Sequence, residues 1–294
     1  MDKAHFHLPG LFEFTELYSA FFSLWREHRE WFYEFCDIAS VYGAPSGCLW
    51  GGGRFGGDDD VRETLALLKE YGISPRLTFS NSLLREEHLG DPRCNELCRL
   101  TEAESGGVIV HSDLLLDYLR RRYPGLYFVS STTKVLTDRR ELLSELRREE
   151  FRCVVPDFRL NGELELWQSL PEELRGKVEF LCNECCFFGC RDRKACYENV
   201  SRRALGEDCP EHICKSPGGD RGYRFSAAMD SPAFIGIGDI KDIYLPMGFS
   251  EFKLEGRGLG SAVILEFLLH YLTRPEYQLK VRESIYLDSM LDLF

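Results

Sequence analysis

Val108-Ile-Val-His-Ser-Asp-Leu-Leu-Leu-Asp-Tyr-Leu-Arg-Arg-Arg-Tyr-Pro-Gly-Leu-Tyr-Phe-Val129 is the stretch on which the fold turns. Val108–Val110 is a short apolar run of the kind a buried strand uses, and Tyr127–Val129 is a second one. Between them Asp113–Tyr123 carries a helical pattern. A strand, a helix and a second strand in so little chain read as a unit of a parallel sheet.

The same alternation extends in both directions. Strands are expected at Asp37–Val41, Arg76–Phe79, Val108–Val110, Tyr127–Val129, Cys153–Val155, Val178–Leu181, Ala233–Ile237 and Glu251–Leu254. Helical patterns occupy Asp58–Tyr71, whose acidic opening suits a helix N-terminus, then Asp113–Tyr123, Asp138–Glu150 and Leu259–Leu272. Two more, Leu11–Arg26 and Glu30–Phe35, precede the first expected strand. Eight strands alternating with helices predict an α/β fold, a (β/α)8 TIM-like barrel, with a cysteine-rich insertion after the sixth strand. A doubly wound open sheet is the competing architecture. No internal repeat or Pro/Ser-rich linker divides the chain, so residues 1–294 read as one domain. Within it, 1–36 read as helices packing on the barrel, 182–225 as the cysteine-rich segment, and 275–294 as an amphipathic extension.

Composition narrows the function classes. The 294 residues are 44% hydrophobic and 29% charged, with a formal net charge of −12 and an isoelectric point near 5.2. An acidic chain is a poor match for a dedicated nucleic-acid binder, whose domains carry a basic face. Arg120–Arg122 and Arg202 with Arg203 are local basic patches only. Small-molecule and protein partners are favoured. Residues Met1–Gly10 lack the apolar core of a secretory signal, and no run of apolar residues reaches membrane-spanning length. The cytoplasm is the expected location, where thiols stay reduced.

Seven of the twelve cysteines lie between Leu181 and Cys214: Cys182, Cys185, Cys186, Cys190, Cys196, Cys209 and Cys214. Charged and small residues separate them, so the segment is a loop and helix start and not a core strand. Thiolates crowded on irregular backbone suit an iron–sulfur cluster or zinc. Cys186, Cys190, Cys196 and Cys214 are the expected ligands of a [4Fe–4S] cluster, with zinc as the alternative. Cys182 reads as a buried small hydrophobe, and Cys36, Cys48, Cys94, Cys98 and Cys153 as structural.

In a barrel the chemistry sits just past the C-terminal ends of the strands. Those positions hold Tyr42, Asn81, His111, Ser130 to Thr132, Asp157, Asn183 with Glu184, and Glu255 with Arg257. Nearly every strand ends in a polar or titratable group. Lys253 and Glu255 lie two apart and so share one face of a strand. The glycines at 256, 258 and 260 let backbone approach a ligand, and the helix that follows offers free N–H groups to an anion. Tyr42 opens a glycine-rich stretch to Gly57, in which Arg54 is an anion contact; it carries neither a dinucleotide-binding nor a P-loop spacing. The residues therefore suggest Glu255, Lys253, Asp157 and His111 as catalytic groups. Arg257, Asn81, Asn183, Glu184, Tyr42 and Arg54 are the suggested substrate contacts. No nucleophile elbow and no HExxH motif supports a hydrolase.

The Phe252-Lys-Leu-Glu-Gly-Arg257 run, placed after a cysteine-rich segment, resembles the peptidase U32 family, where a closely similar Lys-(Ile/Leu)-Glu-Gly-Arg sequence is a hallmark. The similarity is strongest from Val178 to Ser261. It implies a TIM-barrel-type protein holding a [4Fe–4S] cluster and supporting oxygen-independent hydroxylation of a small molecule or a modified base. It places Lys253, Glu255 and Arg257 at the barrel mouth and the 182–214 cysteines at the cluster. An electron-donor protein is an implied partner. Two other readings stand beside it: a non-catalytic cluster protein that docks and passes electrons, and a zinc-stabilised hydrolase or peptidase.

Overall fold

Alternate residues of a strand face opposite ways, and the chain keeps that parity from strand to strand. Val108, Val110, Phe128, Val154, Phe180 and Phe252 join the helices in one apolar cluster, whereas Ile109, Val129, Cys153 and Leu181 form a second. The two sets interleave residue by residue, so both faces of the sheet are covered, as a parallel sheet requires.

The computed structural model describes residues 3–52, 56–217 and 222–289. Its strands are β1 (Ala4–Pro9), β2 (Cys36–Gly43), β3 (Ser74–Phe79), β4 (Gly107–Val110), β5 (Tyr127–Ser130), β6 (Phe151–Val154), β7 (Glu179–Leu181) and β8 (Glu251–Lys253). All pairings are parallel, in the order β6-β5-β4-β3-β2-β1-β8-β7. A parallel bridge between Val154 and Val178 joins the two ends of that order. The result is a nearly closed, TIM-like β/α barrel, and the open-sheet alternative falls away.

Helices cover the outside: α1 (Thr15–Glu27), α2 (Val61–Glu70), α3 (Pro92–Ala103), α4 (Asp113–Arg122), α5 (Arg139–Leu146), the short α6 (Leu164–Gln168) and α7 (Glu172–Arg175). After β7 come α8 (Arg193–Ala204), α9 (Phe225–Met229) and α10 (Ile237–Asp239), and after β8 come α11 (Ser261–Tyr271) and α12 (Gln278–Glu283). Their starts follow from side chains. Asp60 accepts from the N–H groups of Arg62 and Glu63 at α2, Asp138 does the same for Arg140 and Glu141 at α5, and Ser112 accepts from Leu115 at α4. Each such cap contributes about 1 kcal/mol. Among the described residues, no helix is long and apolar enough to cross a membrane.

The structure corrects the strand reading in two places. Ala4–Pro9, read as part of a helical N-terminal segment, is β1 and sits between β2 and β8. Ala233–Ile237, read as the seventh strand, is not a strand. β7 pairs directly with β8, Glu179 opposite Glu251 and Leu181 opposite Lys253, which leaves no slot between them. The 233–237 run is instead buried as a crossing loop: Ile235 N–H donates to Cys182 O at 3.0 Å, and Ala233 O accepts from Asn161 at 2.8 Å. With β1 counted, the cysteine-rich insertion follows the seventh strand rather than the sixth. Glu30–Phe35, expected as helix, forms only a 3-10 turn at Arg29–Trp31.

Candidate active site at the barrel mouth

The inward face of the barrel carries charge. Glu179 of β7 and Arg76 of β3 are fully enclosed, and Arg76 Nη1 meets Glu179 Oε2 at 2.5 Å. His7 of β1 approaches the same oxygen at 3.5 Å, and Lys253 Nζ of β8 stands 3.7 Å from Glu179 Oε1. Burial alone would raise the Glu179 carboxyl; Arg76, His7 and Lys253 together overcome it and hold the group down at about 2. A buried carboxylate set against Arg76 and Lys253 is the expected resolution of charges that cannot reach water.

Lys253 forms the floor of a cavity of about 140 Å³. Its ammonium lies 3.8 Å over the Tyr42 ring, and 3.7 Å to Glu179 is too long for a hydrogen bond. Burial lowers the Lys253 amine to about 8; Glu179 opposes the shift, and Arg76 and Arg257 add to it. Tyr42 itself is fixed, its hydroxyl donating to Leu254 O at 2.6 Å. Glu255 and Glu184 line the same cavity. The Glu255 carboxyl is raised by burial and by the neighbouring Glu184, against the pull of Arg257, Lys253 and Arg193.

The opposite wall is a line of hydroxyls. Ser80 and Ser131 lie 2.9 Å apart, Thr133 donates to Ser131 at 3.0 Å, and His111 Nδ1 meets Thr133 Oγ1 at 2.8 Å. Among the described residues, four buried polar atoms on the cavity lining lack a hydrogen-bond partner: Thr78 Oγ1, Thr132 Oγ1, and Nε and Nη1 of Arg257. Orphaned polar atoms are costly and uncommon in a finished interior, so their convergence on one void marks where a polar ligand fits. A second cavity of about 510 Å³ lies beyond, lined by the glycine-rich loop, Arg203 and Glu211. Arg257 and Val200 line both and stand between them. Gly52 lets that loop touch the rim: a Cβ there would sit 2.5 Å from Asn81 N.

The sequence-derived candidates divide into three groups. Lys253, Glu255, Arg257, Tyr42, Glu184 and Cys196 line the inner cavity. Asn183, Asn81, Asp157 and His111 stand behind its walls. Asn183 clamps the Glu255 backbone, its Oδ1 accepting from Glu255 N at 2.7 Å and its Nδ2 donating to Glu255 O at 3.1 Å. Asn81 ties Leu49 O and Ser201 O to its own loop. Asp157 is enclosed between Arg159 at 2.6 Å and Arg193 at 3.3 Å. Burial, Lys134 and Lys194 lower the His111 imidazole to about 4, so it is neutral at pH 7. Arg54 lies outside the described residues. Sequence reasoning did not single out Arg76, Thr78 and Ser80, although they alternate along β3 and its continuation, nor Glu179 and Thr133; Thr132 stood among the strand-end positions without a role.

The cysteine segment is tied to the cavity by Arg193 of α8. Its guanidinium reaches Glu184 Oε2 at 2.7 Å and Asp157 Oδ2 at 3.3 Å, with Phe158 and Tyr197 against its face. All twelve cysteines are outside disulfides. Cys182 is buried, Cys186, Cys190 and Cys196 are half-buried, and Cys214 is exposed. The donor set is right in kind for a cluster or zinc, but it does not converge. Among the described residues no three His, Cys, Asp or Glu side chains come together to hold a metal ion. As arranged, these residues do not fit the group.

A parallel β/α barrel with a titratable, polar-walled cavity at the C-terminal ends of its strands defines the class. Of solved structures, the one described as the structure of the U32 peptidase Mk0906 shares this fold, with a TM-score of 0.51 over 88% of this chain and 94% of that one, at 14% sequence identity. The fold implied by the Phe252–Arg257 resemblance is thus the fold observed. No family model matches the sequence, and no curated protein matches it.

Proposed function

We propose that the protein is an enzyme acting on a small anionic molecule, or a modified base, held in the barrel mouth. The convergence of Thr78, Thr132 and Arg257, each with unpartnered buried atoms, on the cavity of Lys253 and Glu255 carries this reading. Arg257 takes the anionic end, the hydroxyl wall fixes orientation, and Glu255 moves protons, its affinity for one raised by burial and by Glu184. At about 140 Å³ the inner cavity is below the roughly 300 Å³ at which drug-sized pockets begin. Only a small molecule, or one end of a larger one, fits.

The U32 resemblance adds oxygen-independent redox or hydroxylation chemistry with a [4Fe–4S] cluster. The thiol content of the 182–214 segment supports it; the sulfurs would have to draw together first, and no step above runs through a cluster. Anaerobic purification with iron, sulfide and zinc quantified tests this part. The binding part is tested by native mass spectrometry of the purified protein and of Arg257→Met. A retained small anion lost in the variant supports the reading, and equal occupancy overturns it. A second reading, a protein that docks through the cysteine segment and passes electrons to a partner, is favoured by Phe187, Phe188 and Ile213, exposed at 45%, 39% and 77%. Stable co-purification of a redox protein, lost when Phe187 and Phe188 are replaced by Ser, would select it.

A further inference from the structure

We propose that Lys253 is a Schiff-base lysine and that the substrate is a small 2-oxo acid. The inference rests on the barrel mouth being the active site, and not on any metal. Three placements carry it.

The first is the amine itself. Lys253 Nζ lines the cavity, 95% of its side chain is enclosed because relative exposure is 5%, and it is held by a ring face and a 3.7 Å ion contact rather than by a hydrogen bond. Glu179 divides its charge: Oε2 takes Arg76 and His7, and Oε1, 3.7 Å from the amine, makes no hydrogen bond to it or to any other described group. An enclosed lysine crowded by Arg76 and Arg257 releases its proton more easily than a surface one, leaving the lone pair that nucleophilic attack needs.

The second is the acid. Glu255 lines the same cavity two residues on, its backbone fixed by Asn183. The third is the anion seat, Arg257 with Nε and Nη1 unpartnered and Thr78 and Thr132 opposite. Amine, acid and anion seat around one small void match a carbonyl adjoining a carboxylate.

The step balances without an oxidant or reductant. Neutral Lys253 attacks the carbonyl carbon, a C–N bond forms, and the C=O π pair becomes a hydroxyl by taking the proton that the new C–N nitrogen gives up. The carbinolamine nitrogen then supplies its lone pair as the C–O bond breaks. Glu255 delivers the proton with which oxygen leaves as water. Net, ketone, neutral amine and protonated Glu255 give iminium, water and the Glu255 carboxylate.

The test is reductive trapping on the protein as purified, with pyruvate as the probe and cyanoborohydride as the trap, followed by peptide mapping. One reduced adduct is expected on Lys253, well above that on exposed Lys69 and Lys241. Glu255→Gln is expected to slow trapping about a hundredfold while Lys253 stays in place. Lys253→Arg, which keeps the charge beside Glu179, is expected to abolish the adduct at this site. Modification of Lys253 no greater than that of Lys69 overturns the proposal even if the variants fail to fold, because that comparison is made in the unaltered chain. Arg257-dependent anion retention without an adduct removes the Schiff base and leaves the proposed site standing. Loss of both removes both.

Discussion

Asn183 holds Glu255 by its backbone at two points, accepting from the Glu255 N–H at 2.7 Å and donating to its carbonyl at 3.1 Å. The two residues follow neighbouring strands, so the clamp stitches the end of β7 to the end of β8 at the cavity rim. Asn183 is fully buried, and its removal leaves both backbone groups without their partner. Asn183→Ala is expected to cost about 1–3 kcal/mol, read by urea unfolding, and to reduce ligand retention along with stability. Asn183→Asp keeps the acceptor and loses the donor, and should fall between the two.

Glu179 is expected to set the acid limit of the fold. Its carboxyl sits at about 2 in the barrel against an ordinary 4.5, so the unfolded chain binds the extra proton in that window. Its contribution is present above 4.5 and is lost as pH falls from 4.5 toward 2. Glu179→Gln leaves Arg76 and Lys253 without their counter-charge and should cost about 3–5 kcal/mol near neutrality. Unfolding free energies at about pH 6 and about pH 3 should then converge for variant and parent. An unchanged gap would contradict this role.

Arg193 is the pin of the cysteine segment. Arg193→Met keeps bulk against Phe158 and Tyr197 but abandons Glu184 and Asp157, and leaving a buried carboxylate unpaired costs about 3 kcal/mol. Amide exchange in α8 should accelerate while β4 and β5 remain protected, since the loss is local. Uniform acceleration across the barrel would show that the segment is integral to the core.

Cys48 and Cys94 lie 46 residues apart in sequence with their sulfurs 3.2 Å from each other. The Cys94 S–H lowers the Cys48 thiol against the effect of burial, and Cys94 is itself raised. Bond length requires only about 2.05 Å, so a small shift closes the pair. Treatment with hydrogen peroxide, which takes the two electrons and leaves as water, is expected to link Cys48 to Cys94. Non-reducing peptide mapping reads the link. Its absence, with both thiols alkylated after treatment, would show that the glycine-rich loop does not permit the approach.

The barrel was legible where a strand is apolar. Val108–Val110, Tyr127–Val129 and Val178–Leu181 read correctly because their runs are β-branched or aromatic and flanked by helical patterns. β1 was missed because His5 and His7 interrupt Ala4, Phe6 and Leu8, and a polar inward face looks like loop until a buried partner such as Glu251, 2.9 Å from His7, is seen. The 233–237 run misled for the opposite reason. It is apolar because it is buried, with Ile235 1% exposed, but burial is shared by strands and crossing loops. Site residues on the Lys253–Arg257 run were visible from spacing two. Thr133 was hidden and Thr132 seen only as one of several strand-end hydroxyls, since hydroxyls after a strand are ordinary turn chemistry and only the enclosed void distinguishes them.

The order of the strands bears on how the chain is made. Of the eight strands β1 leaves the ribosome first, yet one of its two neighbours, β8, is the last of them: His5 and its partner Glu251 are 246 residues apart. At roughly 5–20 residues per second that interval is of the order of 12–50 s. Throughout it, one edge of β1 waits unpaired, open to any other extended segment. Synthesis rate and holding by chaperones, rather than the stability of the finished barrel, are therefore expected to govern how much native protein a cell obtains. Slowing translation ahead of β8 would lengthen that exposure and lower the soluble yield.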